Sequence, residues 1–297
     1  MSTTIGFIGQ GWIGKNYADD FENRGYETVR YALEEPYNKN REKLSKCAIV
    51  LIAVPTPSTP DGFSYEPVRD ALSNLKVGTT AVIKSTMLPG TTANLQAEFP
   101  DLFVMHSPEF LREVSAAYDA ANPDRNIIGI PIQNDEYHKR AEEVLAVLPS
   151  APYSSVMPSY EAELVKYASN CFLYTKVVFM NSLYDLVKAN EGNWEILREA
   201  LINDPRIGDS HTRPIHNSGH VSQDKQQETR GAGGHCFIKD FEAFRRFYQE
   251  VIGDDEAHNM LTAMINYNNQ LLVGSDKDID ILEGVYGAEH VKKLQNR

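Results

Sequence analysis

The chain has 297 residues, 42% of them hydrophobic, with 29 basic against 41 acidic side chains and a formal charge of −12 at pH 7. That length allows two modest domains with a substantial core, and the acidic balance excludes nucleic acid or an anionic membrane as the main partner while leaving room for a local anion site. Three unevenly spaced cysteines (Cys47, Cys171, Cys236) make no disulfide framework, no apolar run reaches the ~18 residues of a membrane span, and no basic-then-apolar leader precedes the first strand, so a cytoplasmic protein is expected.

Residues 4–8 read as a short buried strand, followed by Gly9-Gln10-Gly11-Trp12-Ile13-Gly14, a helix to about residue 24, and a second strand over 26–31. Between a strand and a helix those glycines have separate tasks: a tight turn at Gly9, close approach of a pyrophosphate at Gly11, and helix-to-strand packing at Gly14. The second strand of such a unit normally ends in an acid that accepts the ribose hydroxyls; here Tyr31 stands in that place, with Glu34 and Glu35 nearby. NAD is favoured, and Arg30 is the residue that would instead meet a 2′-phosphate.

Strands over 48–54, 79–84, 102–105 and 126–130 alternate with helical patterns over 65–75, 90–99 and 135–148. The expected fold class is therefore α/β: a Rossmann-like doubly wound parallel sheet over residues 1–157, whose ligands sit beyond the carboxyl ends of the strands. At those ends stand Thr56, Ser85-Thr86 and Ser107-Pro108-Glu109, any of which also serves as an ordinary cap or turn residue. From Ser159 a long apolar helix to about residue 189 opens a mostly helical central unit, 158–297, with further helical patterns over 195–201 and 257–272; such a helix suits a bridge between domains and a dimer seam. Lys166 and Asn170, four apart, share one face of it.

Near the end, Gly231-Ala232-Gly233-Gly234-His235-Cys236-Phe237-Ile238-Lys239-Asp240 places a thiol behind three glycines and ahead of a run with Phe241, Phe244, Phe247 and Tyr248 at helical spacing. Glycines let a ligand approach the backbone, and amide donors at a helix start favour the nucleophilic thiolate. A buried cysteine acting as a small hydrophobe is the competing reading, and the simplest one for Cys47 and Cys171. Residues 209–230, with Pro214 and Gly219, read as a polar excursion. Four histidines there and beyond (His211, His216, His220, His235) raise a metal reading that their loop spacing does little to support.

Read together, Gly9–Gly14, Val54-Pro55-Thr56-Pro57, Lys84-Ser85-Thr86 and Ser107-Pro108-Glu109-Phe110-Leu111-Arg112-Glu113 resemble the UDP-glucose/GDP-mannose dehydrogenase family. So do Glu163-Leu164-Val165-Lys166-Tyr167-Ala168-Ser169-Asn170, Asp204-Pro205-Arg206-Ile207-Gly208 and Gly233–Asp240; the likeness spans roughly residues 4–275. The resemblance implies oxidation of a nucleotide-sugar primary alcohol to a carboxylate with two NAD, through a cysteine adduct. It implies Cys236 as nucleophile, Lys166 and Asn170 on the oxyanions, Asp240 and Thr86 in proton transfer or holding a water, and Glu113 in thioester hydrolysis. It also implies sugar contacts from Glu109, Phe110, Leu111, Gly233 and Arg206, and NAD contacts from Gly9, Gln10, Gly11, Trp12, Ile13, Gly14, Tyr31, Val54, Pro55, Thr56, Ser85, Thr86 and Glu113, in a homodimer. Family members carry a further C-terminal α/β domain that grips the nucleotide, for which the stretch after Asp240 leaves no room; the expectations are then a substrate held by another subunit, a smaller sugar derivative, or a compact variant of the family. Two other readings stand beside this one: a single-step hydroxyacid-type dehydrogenase using Lys166 and Asn170, in which Cys236 is dispensable, and an NAD-binding protein without catalysis.

Overall fold

A computed structural model describes residues 4–216 and 229–296, apart from the side chain of Glu113. The chain forms two compact units, Met1–Pro57 with Ser64–Lys166, and Ser58–Phe63 with Tyr167–Arg297. The first runs β1 (Ile5–Ile8), α1 (Trp12–Asn23), β2 (Thr28–Tyr31) and β3 (Ile49–Ile52), then, after the hairpin β4 (Ser58–Thr59) and β5 (Gly62–Phe63), α2 (Glu66–Ser73), β6 (Thr80–Ile83), α3 (Thr91–Glu98) and β7 (Phe103–His106). It continues with α4 (Ala116–Ala121), β8 (Arg125–Ile130), α5 (Asp135–Val147) and β9 (Tyr153–Pro158), and α6 (Ser159–Ala189) leads out of it.

Four-residue apolar strands such as Ile49-Val50-Leu51-Ile52, buried at every position, are what a sheet covered on both faces requires. Alternate side chains feed two cores: Ile5, Phe7, Leu51, Val82 and Met105 on one face, Ile8, Val50, Ile52, Ile83 and Val104 on the other. The seven strands lie in the order β2-β1-β3-β6-β7-β8-β9. β2 is added on one side of β1 and β3 on the other, and this reversal of strand order makes the carboxyl end of β1 a topological switch point. All pairings in this sheet are parallel except β7 with β8, so the expected all-parallel sheet gives way to a mixed one. The reversal lies at β8, which runs against β7; β9, an edge strand that the alternation did not announce because Tyr153-Ser154-Ser155-Val156-Met157-Pro158 is only half-buried and polar, pairs parallel with β8 over six residues.

The second unit contains most of α6, then α7 (Trp194–Ile202), α8 (Gly234–Val251), α9 (Asp255–Gly274), α10 (Ile279–Tyr286) and α11 (Ala288–Gln295). Its core gathers Tyr174, Val178, Phe241 and Ile265, with the Tyr174 and Phe241 rings stacked 4.0 Å apart. The hairpin β4–β5 belongs to this unit: Arg246 on α8 donates to the Thr59 carbonyl at 2.7 Å.

Candidate active site

The glycine turn after β1 has the geometry its spacing implies. Gly9 has φ +89, a Cβ on Gly14 would stand 1.9 Å from the Gly9 carbonyl oxygen, and a Cβ on Gly11 would meet nothing within 4 Å. The first two glycines of contact close the turn on itself; the side at Gly11 is open. Gly11 is the N-cap of α1 and brings no side-chain acceptor, so the first amides of the helix are presented to an anion such as a pyrophosphate. Gln10 and Ile13 flank the turn half-exposed and Trp12 is exposed.

At the ribose end of this turn the side chain of Tyr31 is buried in the core. Arg30 donates to Glu22 through Nε (2.8 Å) and Nη2 (2.7 Å) and to Asp19 (2.7 Å). With its guanidinium engaged by two carboxylates it is a poor acceptor site for a 2′-phosphate, which fits NAD rather than its phosphorylated form. Beyond β3 and β6, the Thr56 hydroxyl donates to the Thr86 carbonyl (2.9 Å) and the Ser85 hydroxyl to the Val54 carbonyl (2.7 Å). These two hydroxyls tie neighbouring strand ends together, and Pro55 lies exposed beside them.

At the end of β7, Glu109 is buried and its Oε1 receives Lys166 Nζ at 2.8 Å, while Lys166 also donates to the Glu109 carbonyl. Glu109 Oε2 accepts from the Leu111 N–H at 2.9 Å, and the Phe110 ring lies 5.7 Å from the Lys166 ammonium and 3.7 Å from the Arg125 guanidinium. Lys166 is therefore a buried amine with a built partner, not a solvated helix lysine. Two residues quoted in the motifs without a role are buried with partners of their own. Lys84, 3% exposed, donates to the Ser107 hydroxyl at 2.9 Å, and burial brings its ammonium down to about 8. Glu163, fully buried, accepts from Gly90 N–H (2.6 Å), Thr92 N–H (2.7 Å) and the Thr92 hydroxyl (2.5 Å), and burial raises its carboxyl to about 7. Its place one turn before Lys166 on α6 was the available signal. The side chain of Glu113, to which the resemblance gives thioester hydrolysis and an NAD contact, lies outside the described residues.

In the second unit, Gly233 caps α8 and Cys236 lies in its first turn, an exposed thiol behind Gly231 (φ +91) and Gly234 (φ +79). One turn on, Asp240 is buried and its Oδ2 accepts from Asn170 Nδ2 at 2.6 Å; its Oδ1 receives Lys239. Cys47 and Cys171 are buried, and desolvation raises both thiols, Cys47 to about 11. Arg206 is exposed and forked onto Asp204. Among the described residues no group of three or more histidine, cysteine, aspartate or glutamate side chains forms a metal cage; His216 bonds Lys277 at 2.8 Å, and His220 lies outside the described residues. No described helix is long and apolar enough to cross a membrane.

Residues 27–148 match the NAD binding domain of the UDP-glucose/GDP-mannose dehydrogenase family, and residues 160–270 match that family's central domain. The chain belongs to this family. The UDP-glucose/GDP-mannose dehydrogenase relatives include the UDP-glucose 6-dehydrogenase of Rickettsia felis, 30% identical over 287 residues that cover 93% of this chain and 59% of that protein. The UDP-glucose 6-dehydrogenase of Rickettsia conorii is 31% identical over 85% of this chain and 55% of its own length. The chain thus spans a little over half the length of these curated relatives. A UDP-glucose dehydrogenase structure from Pyrobaculum islandicum superposes with TM-score 0.75 at 27% identity, over 95% of this chain and 71% of the other. NAD is the dinucleotide of this family's N-terminal domain, and the open Gly11 turn and the engaged Arg30 fit it.

Proposed function

We propose that the chain is an NAD-dependent dehydrogenase that oxidises the primary alcohol of a nucleotide-sugar, of the UDP-glucose type, to the carboxylate in two steps. The observation that carries this is Cys236: an exposed thiol in the first turn of α8, where the helix dipole favours a thiolate. NAD, when bound, accepts a hydride in each oxidation. The hydroxyl proton of the alcohol leaves with the first hydride, giving an aldehyde. The Cys236 thiolate adds to the carbonyl carbon, and the resulting oxyanion is met by the Lys166 and Asn170 donors and takes a proton. Loss of the second hydride and of that proton leaves a thioester on Cys236. Water then adds to it, the C–S bond breaks, and the thiolate and carboxylate separate with release of two protons. In this reading Glu113 acts as base for the water, Asp240 and Thr86 order it, and Glu109, Phe110, Leu111, Gly233 and Arg206 contact the sugar. NAD is met by Gly9, Gln10, Gly11, Trp12, Ile13, Gly14, Val54, Pro55, Thr56 and Ser85, with Tyr31 supplying backbone at the ribose end. Three cysteines outside any disulfide suit a cytoplasmic setting.

Incubated with UDP-glucose and NAD, the protein is expected to yield two NADH per acid, and the C236A variant to form no acid. A wild-type product that stops at one NADH would overturn the reading in favour of a single-step dehydrogenase, and acid formation at the wild-type rate by C236A would remove the cysteine from the chemistry.

A homodimer is part of the same proposal. Phe172, Phe179 and Leu186 are 68%, 59% and 63% exposed and recur every seven residues on α6, a stripe of large apolar side chains that a second copy of the helix would cover. Sedimentation of the wild type is expected to show a dimer and that of Phe179→Asp a monomer; a monomeric wild type at micromolar concentration would refute the seam.

A further inference from the structure

The turn that carries Cys236 is held from beneath by two consecutive residues that no motif includes. Asp278 Oδ2 accepts from the Gly234 N–H at 2.7 Å, and Lys277 Nζ donates to the Gly231 carbonyl at 3.1 Å and meets His216 Nε2 at 2.8 Å. Both are fully buried. The approach is so close that a Cβ on Gly233 would stand 2.0 Å from Asp278 Oδ2 and 2.7 Å from Lys277 Cε. This is why the cap of α8 must be glycine. The connection between α9 and α10 adopts left-handed backbone at Asp276 (φ 52) and Asp278 (φ 54), a posture that costs a non-glycine residue free energy and persists where the surroundings over-determine it.

We propose that Lys277 and Asp278 are positioning residues of the cysteine turn: the carboxylate fixes the amide end of α8, and the ammonium supplies the opposing charge that keeps that carboxylate from repelling a thiolate at Cys236. A carboxylate at a helix N-terminus satisfies an orphan amide, but it spends the same positive potential that favours a thiolate in the first turn. A buried ammonium on the preceding residue restores it. Lys277, brought down to about 8 by burial, carries its charge at neutral pH. The other charged or titratable groups at this turn are His216 from the preceding segment, His235, Lys239 and Asp240 on α8, and Asp276 beside the pair; Lys239 and Asp240 already bond each other.

The inference rests on Cys236 being the nucleophile, so the test reads the thiol itself rather than turnover. The rate of iodoacetamide alkylation of the Cys236 peptide, followed against pH by mass spectrometry in the full chain, gives its apparent pKa. Lys277→Met is expected to raise that value by about 1 and Asp278→Asn to lower it by about 1, at the low end of what a nearby charge does. At neutral pH alkylation then slows several-fold in K277M and accelerates in D278N. Shifts of one sign in both variants, or no shift in folded protein, would overturn the proposal, since mere loosening of the turn has no reason to act in opposite directions. Should K277M not fold, D278N and Lys277→Arg decide: K277R is expected to keep the wild-type value, and an unshifted D278N refutes the pairing. If Cys236 proves dispensable for turnover, the functional reading fails while this electrostatic result stands.

Discussion

Replacing Lys166 by methionine is expected to destabilise the first unit by about 3–5 kcal/mol, the cost typical of removing one partner of a buried ion pair. The size follows from the geometry. Lys166 and Glu109 side chains are 5% and 4% exposed with Nζ and Oε1 2.8 Å apart, so methionine leaves a carboxylate deprived of water and of its counter-charge, with the Leu111 N–H still bonded to it. Urea unfolding of wild type, K166M, Glu109→Gln and the double variant measures this. The double variant is expected to recover most of the loss, because neutralising both partners removes the stranded charge; a double variant as unstable as the sum of the singles would show that the pair is not coupled. Turnover discriminates further. If Lys166 meets the oxyanion, K166M/E109Q remains slow by about 10²–10³ even where it is folded, as loss of one such donor implies.

Glu163 sets the second large effect, and its sign is opposite to that of most carboxylates. Its carboxyl lies near 7 in the folded protein because burial outweighs three hydrogen bonds. It therefore retains a proton that the unfolded chain releases near its ordinary 4.5. Stability from this group is fully present below about 4.5 and is lost as pH rises through 7, a swing of about 3 kcal/mol for a shift of this size. Glu163→Gln cannot titrate, so its stability relative to wild type is expected to improve by that amount between pH 4.5 and pH 8. Its starting level is lower: the Gln amide turns one N–H donor against the Gly90 or Thr92 donors, at a cost of about 1–3 kcal/mol. Denaturant midpoints at several pH values test this, and parallel curves for the two proteins would show that folding leaves the Glu163 titration unshifted.

Much of this was readable in the chain itself. The turn after β1 follows from the spacing of Gly9, Gly11 and Gly14, since glycine where a Cβ would strike a carbonyl leaves few alternatives. The apolar strands were equally plain, because burial on both faces leaves no polar position to confuse the period. Cys236 at a helix start followed from the glycines before it and the aromatic spacing after it. What the sequence hid were relations between distant residues. Nothing local distinguishes Lys277 and Asp278 from solvated charges, as both sit in the acidic run Asp276-Lys277-Asp278-Ile279-Asp280. Their burial exists only because α10 returns the chain beneath the glycine turn. Glu109 was assigned to the sugar, and its bonds to Lys166 and Leu111 emerged only once β7 and α6 were in place. The helices α10 and α11 are not legible in the sequence because eight residues give too short a period to register, nor is the edge strand β9, because its exposure permits polar side chains.

The hairpin β4–β5 interrupts the dinucleotide unit in sequence yet belongs to the helical one, where Arg246 holds it. A gene cut at the codon for residue 167 would therefore not release an intact helical fragment: the excised piece would leave six residues behind, and Arg246 would emerge with no carbonyl to grasp. Splicing experiments that exchange modules among homologous proteins must carry this short loop along with the later half, or join it back through an added linker.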